Sequence, residues 1–184
     1  MTHLPRRVVL SAFAALTISA CANGVGGNGA SVIDARVDST LSFMYDRFPG
    51  TRDIADKAAG TLVMPLVTEV GLGIGGSYGR GALRVGGATV DYYSAASGSA
   101  GLQIGAQQYS HVLFFMTDQA LRDFRASPGF ALGADVTYAL NDQGEMLRAD
   151  TTTSLSPVIA VVFAQTGLQL GATLEGTKYT RIIP

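Results

Sequence analysis

Cysteine, histidine, tryptophan and charge are all scarce in this chain, and each scarcity removes a class of function. One Cys in 184 residues leaves no internal disulfide. Two His, one of them at position 3, cannot join that Cys to complete the three or four ligands of a zinc site. No Trp is present to stack a sugar, and no G-x-S-x-G elbow marks a hydrolase nucleophile. Charged residues are 15% of the chain, and the 14 acids exceed the 13 bases, which argues against a nucleic-acid surface. What is abundant is apolar: 47% hydrophobic residues and 23 Gly. A single domain of this size buries roughly 70% of its unfolded surface and needs no staples.

The N-terminus reads as an export signal. Arg6-Arg7 form a basic start, and "VVLSAFAALTI" (Val8 to Ile18) is an apolar run of signal-peptide length. It is short of the roughly 20 apolar residues a comfortable span requires. "ISAC" then matches a bacterial lipobox, with the chain's one Cys at the position where the thiol takes a diacylglycerol. We therefore expect residues 1–20 to be removed and Cys21 to carry acyl chains, palmitate among them, as a tether point and not a redox group. Ala22 in place of Asp favours the outer membrane of a Gram-negative host, with the domain facing the periplasm or the cell surface. Residues 21–31, ending in "ANGVGGNGAS", read as a flexible tether, and 32–184 as one domain. Without its signal peptide the chain has 11 basic and 14 acidic residues, a net charge of −3. Any contact with anionic lipid then needs a local basic patch.

"SVIDARVDSTLSFMYDRF" carries Val37, Leu41, Met44 and Phe48 on one helical stripe, which predicts a core-packing helix. Pro49-Gly50 break it, and Thr51 is the expected cap of a second helix, "RDIADKAA". From Thr61 the period becomes two. "TLVMPLVTEV", "GALRVGG", "TVDYYSA", "SAGLQIGAQ" and "YSHVLFFMT" read as strands, followed by a short helix over 118–127 and three more strands.

"GLGIGG" at Gly71 satisfies G-x-G-x-x-G, the signature of a dinucleotide-binding turn. The same form, Gly-apolar-x-apolar-Gly-small, recurs at Gly101, Gly129 and Gly167. A nucleotide turn has no reason to recur four times, and no helix pattern follows it; a repeated strand edge or kink explains both facts. The glycines are expected on one face of these strands, where another element approaches the backbone or the sheet bends. Glu69 and Asp91 fall on neighbouring predicted strands and are the nearest thing to a catalytic carboxylate pair. His111 opens an apolar run and reads as a strand-edge His with ordinary hydrogen bonds; a hydrolase using it is the weakest function considered. No enzyme signature survives, and neither a cofactor nor a metal is expected.

"LVMPLVTEVGLGIGGSYGRGALR", "SAGLQIGAQQYSHVLFFMTDQALRDF" and "GLQLGATLEGTK" together resemble the SYLF domain, across Ala58 to Ile182. That lipid-binding domain occurs in bacterial lipoproteins and beside SH3 or FYVE modules in eukaryotes, including yeast actin-patch proteins. The resemblance implies binding of phosphoinositides or other anionic phospholipids through basic residues and, in some eukaryotic members, of actin. Two departures stand out: the basic residue before the first strand, Lys57, is displaced by two positions, and Tyr92-Tyr93 stand where eukaryotic members often carry Trp.

The candidate headgroup ligands are Lys57, Arg80 and Arg84, then Lys178 and Arg181. Arg80 and Arg84 are expected to flank a Gly-rich turn whose N–H groups help to hold phosphate. The expected fold is α+β, with two N-terminal helices on a curved, mainly antiparallel sheet or barrel-like wall and one short inserted helix. The expected function is non-enzymatic lipid binding by an anchored lipoprotein. The alternative is a structural adaptor that binds an envelope protein.

Overall fold

The computed structural model describes residues 28–131, 136–138, 156–164, 167–168, 174 and 176–184. The predicted signal peptide, Cys21 and residues 22–27 of the predicted tether lie outside the described residues, as do all but the first residues of the third and fourth Gly-apolar repeats; the last tether residues, 29–31, are instead the first turn of a helix. Three helices are described: α1 (Gly29–Arg47), α2 (Gly50–Lys57) and α3 (Asp118–Ala126). The strands are β1 (Gly60–Val85), β2 (Ala88–Phe115), β3 (Phe130–Ala131), β4 (Val136–Tyr138), β5 (Val158–Ala164), β6 (Gly167–Leu168) and β7 (Lys178–Ile182). The expected α+β architecture with a curled sheet is present.

What read as five separate strands is one hairpin. β1 and β2 run antiparallel from Gly60↔Phe115 to Val85↔Ala88, turning at Gly86-Gly87. Both turn glycines have positive φ, 57° and 82°, which a two-residue turn of this hand requires. A straight strand of 26 residues spans about 85 Å, far more than a small domain can hold, so the hairpin has to bend. The register shifts between Met64 and Val67 and between Leu72 and Ile74 supply bulges for that bend. The bend brings β1 back onto itself. A Cβ at Gly79 would sit 2.7 Å from the Leu66 carbonyl oxygen, and one at Gly81 would collide with the Val63 carbonyl. The tightest backbone approach within the hairpin, among the described glycines, therefore falls on those of "SYGRG"; at Gly76, in the first copy of the recurring motif, a Cβ would meet the Ser97 carbonyl at 3.2 Å. The first two motif copies instead pair with each other, Gly71↔Gly105 and Leu72↔Ile104, inside the ladder. A segment in mid-strand opens no helix, so the dinucleotide turn is excluded by the fold as well.

β2 is the spine of the sheet. Its first half pairs with β7 (Tyr92↔Ile182) and its last with β5 (Phe115↔Val158). β3 adds to β7, β6 to β5, and β4 joins β5 in parallel. The pleat sends alternate residues to two cores. Leu62, Met64, Leu83, Leu113 and Phe115 face inward with Phe124 of α3 and Tyr179 of β7. Val63, Ala82, Val112 and Phe114 face outward beneath Ile33, Val37, Met44 and Ile54 of α1 and α2. β5, with Val158, Ala160 and Val162 on one side and Ile159, Val161 and Phe163 on the other, serves both cores.

The predicted helical stripe packs as expected, with Val37, Met44 and Phe48 buried and Leu41 at its margin. Thr51 is not the cap: α2 starts one residue earlier, behind Pro49, and the Thr51 hydroxyl donates to the Phe48 carbonyl at 2.7 Å. α3 is capped by Thr117, whose side chain accepts from the Ala120 N–H at 3.1 Å. His111 is not at a strand edge, since it lies opposite Met64 on one side and Val162 on the other.

Candidate functional site

The electrostatics of the outer face are set by α1. Asp34 and Asp38, one helical turn apart, reach the far end of the hairpin. Arg84 Nη2 lies 2.7 Å from Asp38 Oδ1 and 3.7 Å from Asp34 Oδ1, and its Nη1 donates to the Gly87 carbonyl at 3.0 Å. Asp34 also accepts from Thr89 and from the Tyr92 hydroxyl, at 2.7 and 2.8 Å. Burial, followed by that Asp34 bond, raises the Tyr92 hydroxyl above the ordinary tyrosine pKa. This network staples helix to hairpin.

One turn further toward the helix start, the chemistry changes. Gly29, Val32, Ile33 and Arg36 form the α1 side of a cleft of about 450 Å³ whose other wall includes Leu66, Tyr78 and Arg80 of β1. That volume suits a small-molecule headgroup. Two guanidinium groups and no carboxylate side chain line it, and among the described residues neither Arg36 nor Arg80 has an ion-pair partner. α1 begins at its rim with no acidic residue in the first turn, and the main chain of Pro184 packs against Gly29 at that helix start. Val32, Leu66 and Tyr78 are exposed, giving the cleft an apolar rim. Exposed guanidinium groups beside exposed apolar and aromatic side chains suit an amphiphile with an anionic head.

The five basic residues named from the sequence stand on three elements. Arg80 alone of them lines the cleft. Arg84 is four residues further along β1 but committed to Asp38 and Asp34. No turn separates the two arginines: both are in strand, and the expected N–H cradle between them is replaced by the close packing of Gly81 on Val63. Arg181 of β7 ion-pairs with Asp91 at 3.4 Å, and Arg125 of α3 meets the same carboxylate at 3.0 Å. Lys178 is exposed on β7, with its stem over Gly129. Lys57 ends α2 and has an interaction of its own. Arg36 was missed, because a cation among the acids of an amphipathic helix looks like a solvated charge until the cleft is seen.

The catalytic candidates fall apart. Glu69 lies opposite Gln107 and accepts its amide at 2.8 Å, while Asp91 lies opposite Leu83 and holds two arginines. His111 is fully buried, with Nε2 2.8 Å from the Tyr179 hydroxyl, and burial drives its pKa down to about 3. A neutral imidazole sealed from solvent reaches no substrate. Among the described residues no cluster of His, Cys, Asp and Glu could hold a metal, and no helix is long and apolar enough to cross a membrane.

Comparison with curated proteins finds no match. Comparison with family models gives a match over residues 96–181 to "Ysc84: Las17-binding protein actin regulator", a family of binding domains associated with lipid or actin-related binding. The matched stretch is just under half of the chain and runs from the first half of β2 through α3 and β5 to β7. Over those residues the chain is similar to the Ysc84, or SYLF, family.

Proposed function

We propose that this protein is an exported lipoprotein, anchored through acylated Cys21, whose domain binds the phosphate of anionic phospholipid headgroups without catalysing a reaction. In a Gram-negative host, Ala22 after Cys21 favours sorting to the outer membrane. The observation that carries this reading is the cleft between α1 and β1, where Arg36 and Arg80 stand without carboxylate partners among the described residues and beside exposed Val32, Leu66 and Tyr78. Two guanidiniums on one phosphate make charge-assisted hydrogen bonds of about 1.5–3 kcal/mol each, enough for selective headgroup capture. The net charge of −3 in the processed chain makes local placement necessary.

The test uses monomeric dihexanoyl-phosphatidylglycerol and its phosphatidylcholine counterpart, titrated into the protein by calorimetry. We expect salt-sensitive binding of the anionic lipid and at least about a tenfold loss in the Arg36→Glu/Arg80→Glu double variant, with unchanged circular dichroism. Equal affinity in variant and parent would remove the cleft from consideration. Binding of neither lipid would favour the adaptor that recognises an envelope protein.

A further inference from the structure

The bend of the hairpin presents a problem that the cleft alone does not solve. Residues 65–79 and 97–110 contain a single charged side chain, Glu69. Where Val70 pairs with Ala106 and Ile74 with Ala100, the described strands form a two-stranded ribbon that the helices do not cover. Ile74 is 82% exposed, Tyr78 55% and Val70 54%. These residues, with Leu66, share one parity along β1, and Leu66 and Tyr78 at the two ends of the row also line the cleft. An exposed strand with apolar side chains and no guarding Lys is a liability unless something covers it.

We propose that the bilayer itself covers it: the bend of the hairpin is an interfacial wedge in which Val70 and Ile74 enter the acyl boundary and Tyr78 sits at headgroup level. The cleft at its base is then turned toward the phosphates. Two observations select a membrane over a second copy of the chain. Arg36 and Arg80 stand at the foot of the wedge, where headgroup phosphate lies when the tip is immersed. Six residues separate Cys21 from Asn28 on the cleft rim, so a lipid on that Cys holds the rim within about 25 Å of the surface. On either side of the irregularity at Gly73 and residues 101–103, cross-strand pairing keeps the ribbon's inner backbone groups hydrogen-bonded during shallow insertion. The direction of docking rests on the headgroup reading of the cleft; the insertion is measured without it.

The chain has no Trp, so Ile74→Trp makes a single emitter, and Asp46→Trp, near the other end of α1, is its control. Each variant is coupled through Cys21, its one thiol, to maleimide-bearing lipid in phosphatidylethanolamine/phosphatidylglycerol vesicles. This fixes the tether whether or not the cell acylates it. Insertion predicts a blue shift and loss of most emission to acyl-brominated lipid at position 74, with neither effect at position 46. Val70→Trp serves if the first variant does not fold. Water-like emission from position 74 on the vesicles would overturn the wedge. So would a blue shift without bromolipid quenching, accompanied by doubling of the sedimenting mass, which would give the surface to a second copy. Insertion with unchanged headgroup affinity in Arg36→Glu/Arg80→Glu would sink the proposed function alone, and the converse pair of results would sink the wedge alone.

Discussion

The base and the bend of the β1–β2 hairpin are made of the same two strands in one ladder, yet they differ in everything except hydrogen bonding. At the base, Leu62, Met64, Leu113 and Phe115 enter one core while Val63, Val112 and Phe114 enter the other, so both faces are closed. At the bend, Val70, Ile74 and Tyr78 lie open on the same strand. The ladder fixes what the backbone is, and burial on its faces fixes how firmly it stays there. Rigidity is concentrated where the helices pack, leaving the bend as the surface available for contact.

The sharpest way to break this contrast is to add one methyl group in each region. Gly81→Ala puts a Cβ where the Val63 carbonyl already sits, and backbone cannot give way as a side-chain tip can. We expect a loss of about 4 kcal/mol or more, or no folded protein, by chemical denaturation. Gly98→Ala in the bend meets nothing within 4 Å and its φ is not positive, so it should be neutral or stabilise by up to about 1 kcal/mol. Equal effects at the two sites would mean that β1 does not fold back on itself.

The base also holds a histidine that the cores keep from water. With His111 at about 3 when folded and 6.5 as the ordinary value, the unfolded chain binds a proton between those limits that the folded chain refuses. Stability should therefore be fully present above pH 6.5 and fall as pH drops toward 3, by up to about 1.4 kcal/mol per unit. His111→Gln retains a partner for the Tyr179 hydroxyl and should remove this part of the slope. Denaturation midpoints for both proteins between pH 4 and 7.5 check it, and parallel curves would place the imidazole in contact with solvent.

The same contrast explains what could be read from the sequence. Periodicity reports burial, so the stripe of α1 and the doubly buried run of β5 were legible, as were the curved sheet and the inserted helix. The unity of the hairpin was not. Its bend is rich in Gly and Ser and has lost strict alternation at two bulges, so local signals for turns competed with a strand maintained by pairing 30 residues away. His111 was misplaced for a related reason, because edge or centre is a property of the neighbours on both sides. The cleft was half visible: Arg80 was named, but its counterpart Arg36 comes from a helix that only the tertiary fold sets beside it.

The finest separation is between Arg80 and Arg84, four residues apart on the outer face of β1. Arg84 is a structural clamp, largely covered and held by Asp38, Asp34 and the Gly87 carbonyl; Arg80 is exposed and lines the cleft. Arg84→Ala leaves two acids on α1 and a carbonyl without their cation, and should cost about 1–3 kcal/mol of stability while changing headgroup affinity little. Arg80→Ala removes no ion pair seen among the described residues. It should alter stability by no more than about 0.5 kcal/mol yet lower the affinity for dihexanoyl-phosphatidylglycerol severalfold. Paired denaturation and calorimetric titrations of the two variants test this. If both arginines moved stability and neither moved affinity, the outer face of β1 would be scaffold throughout, and any lipid contact would have to come from the apolar bend alone.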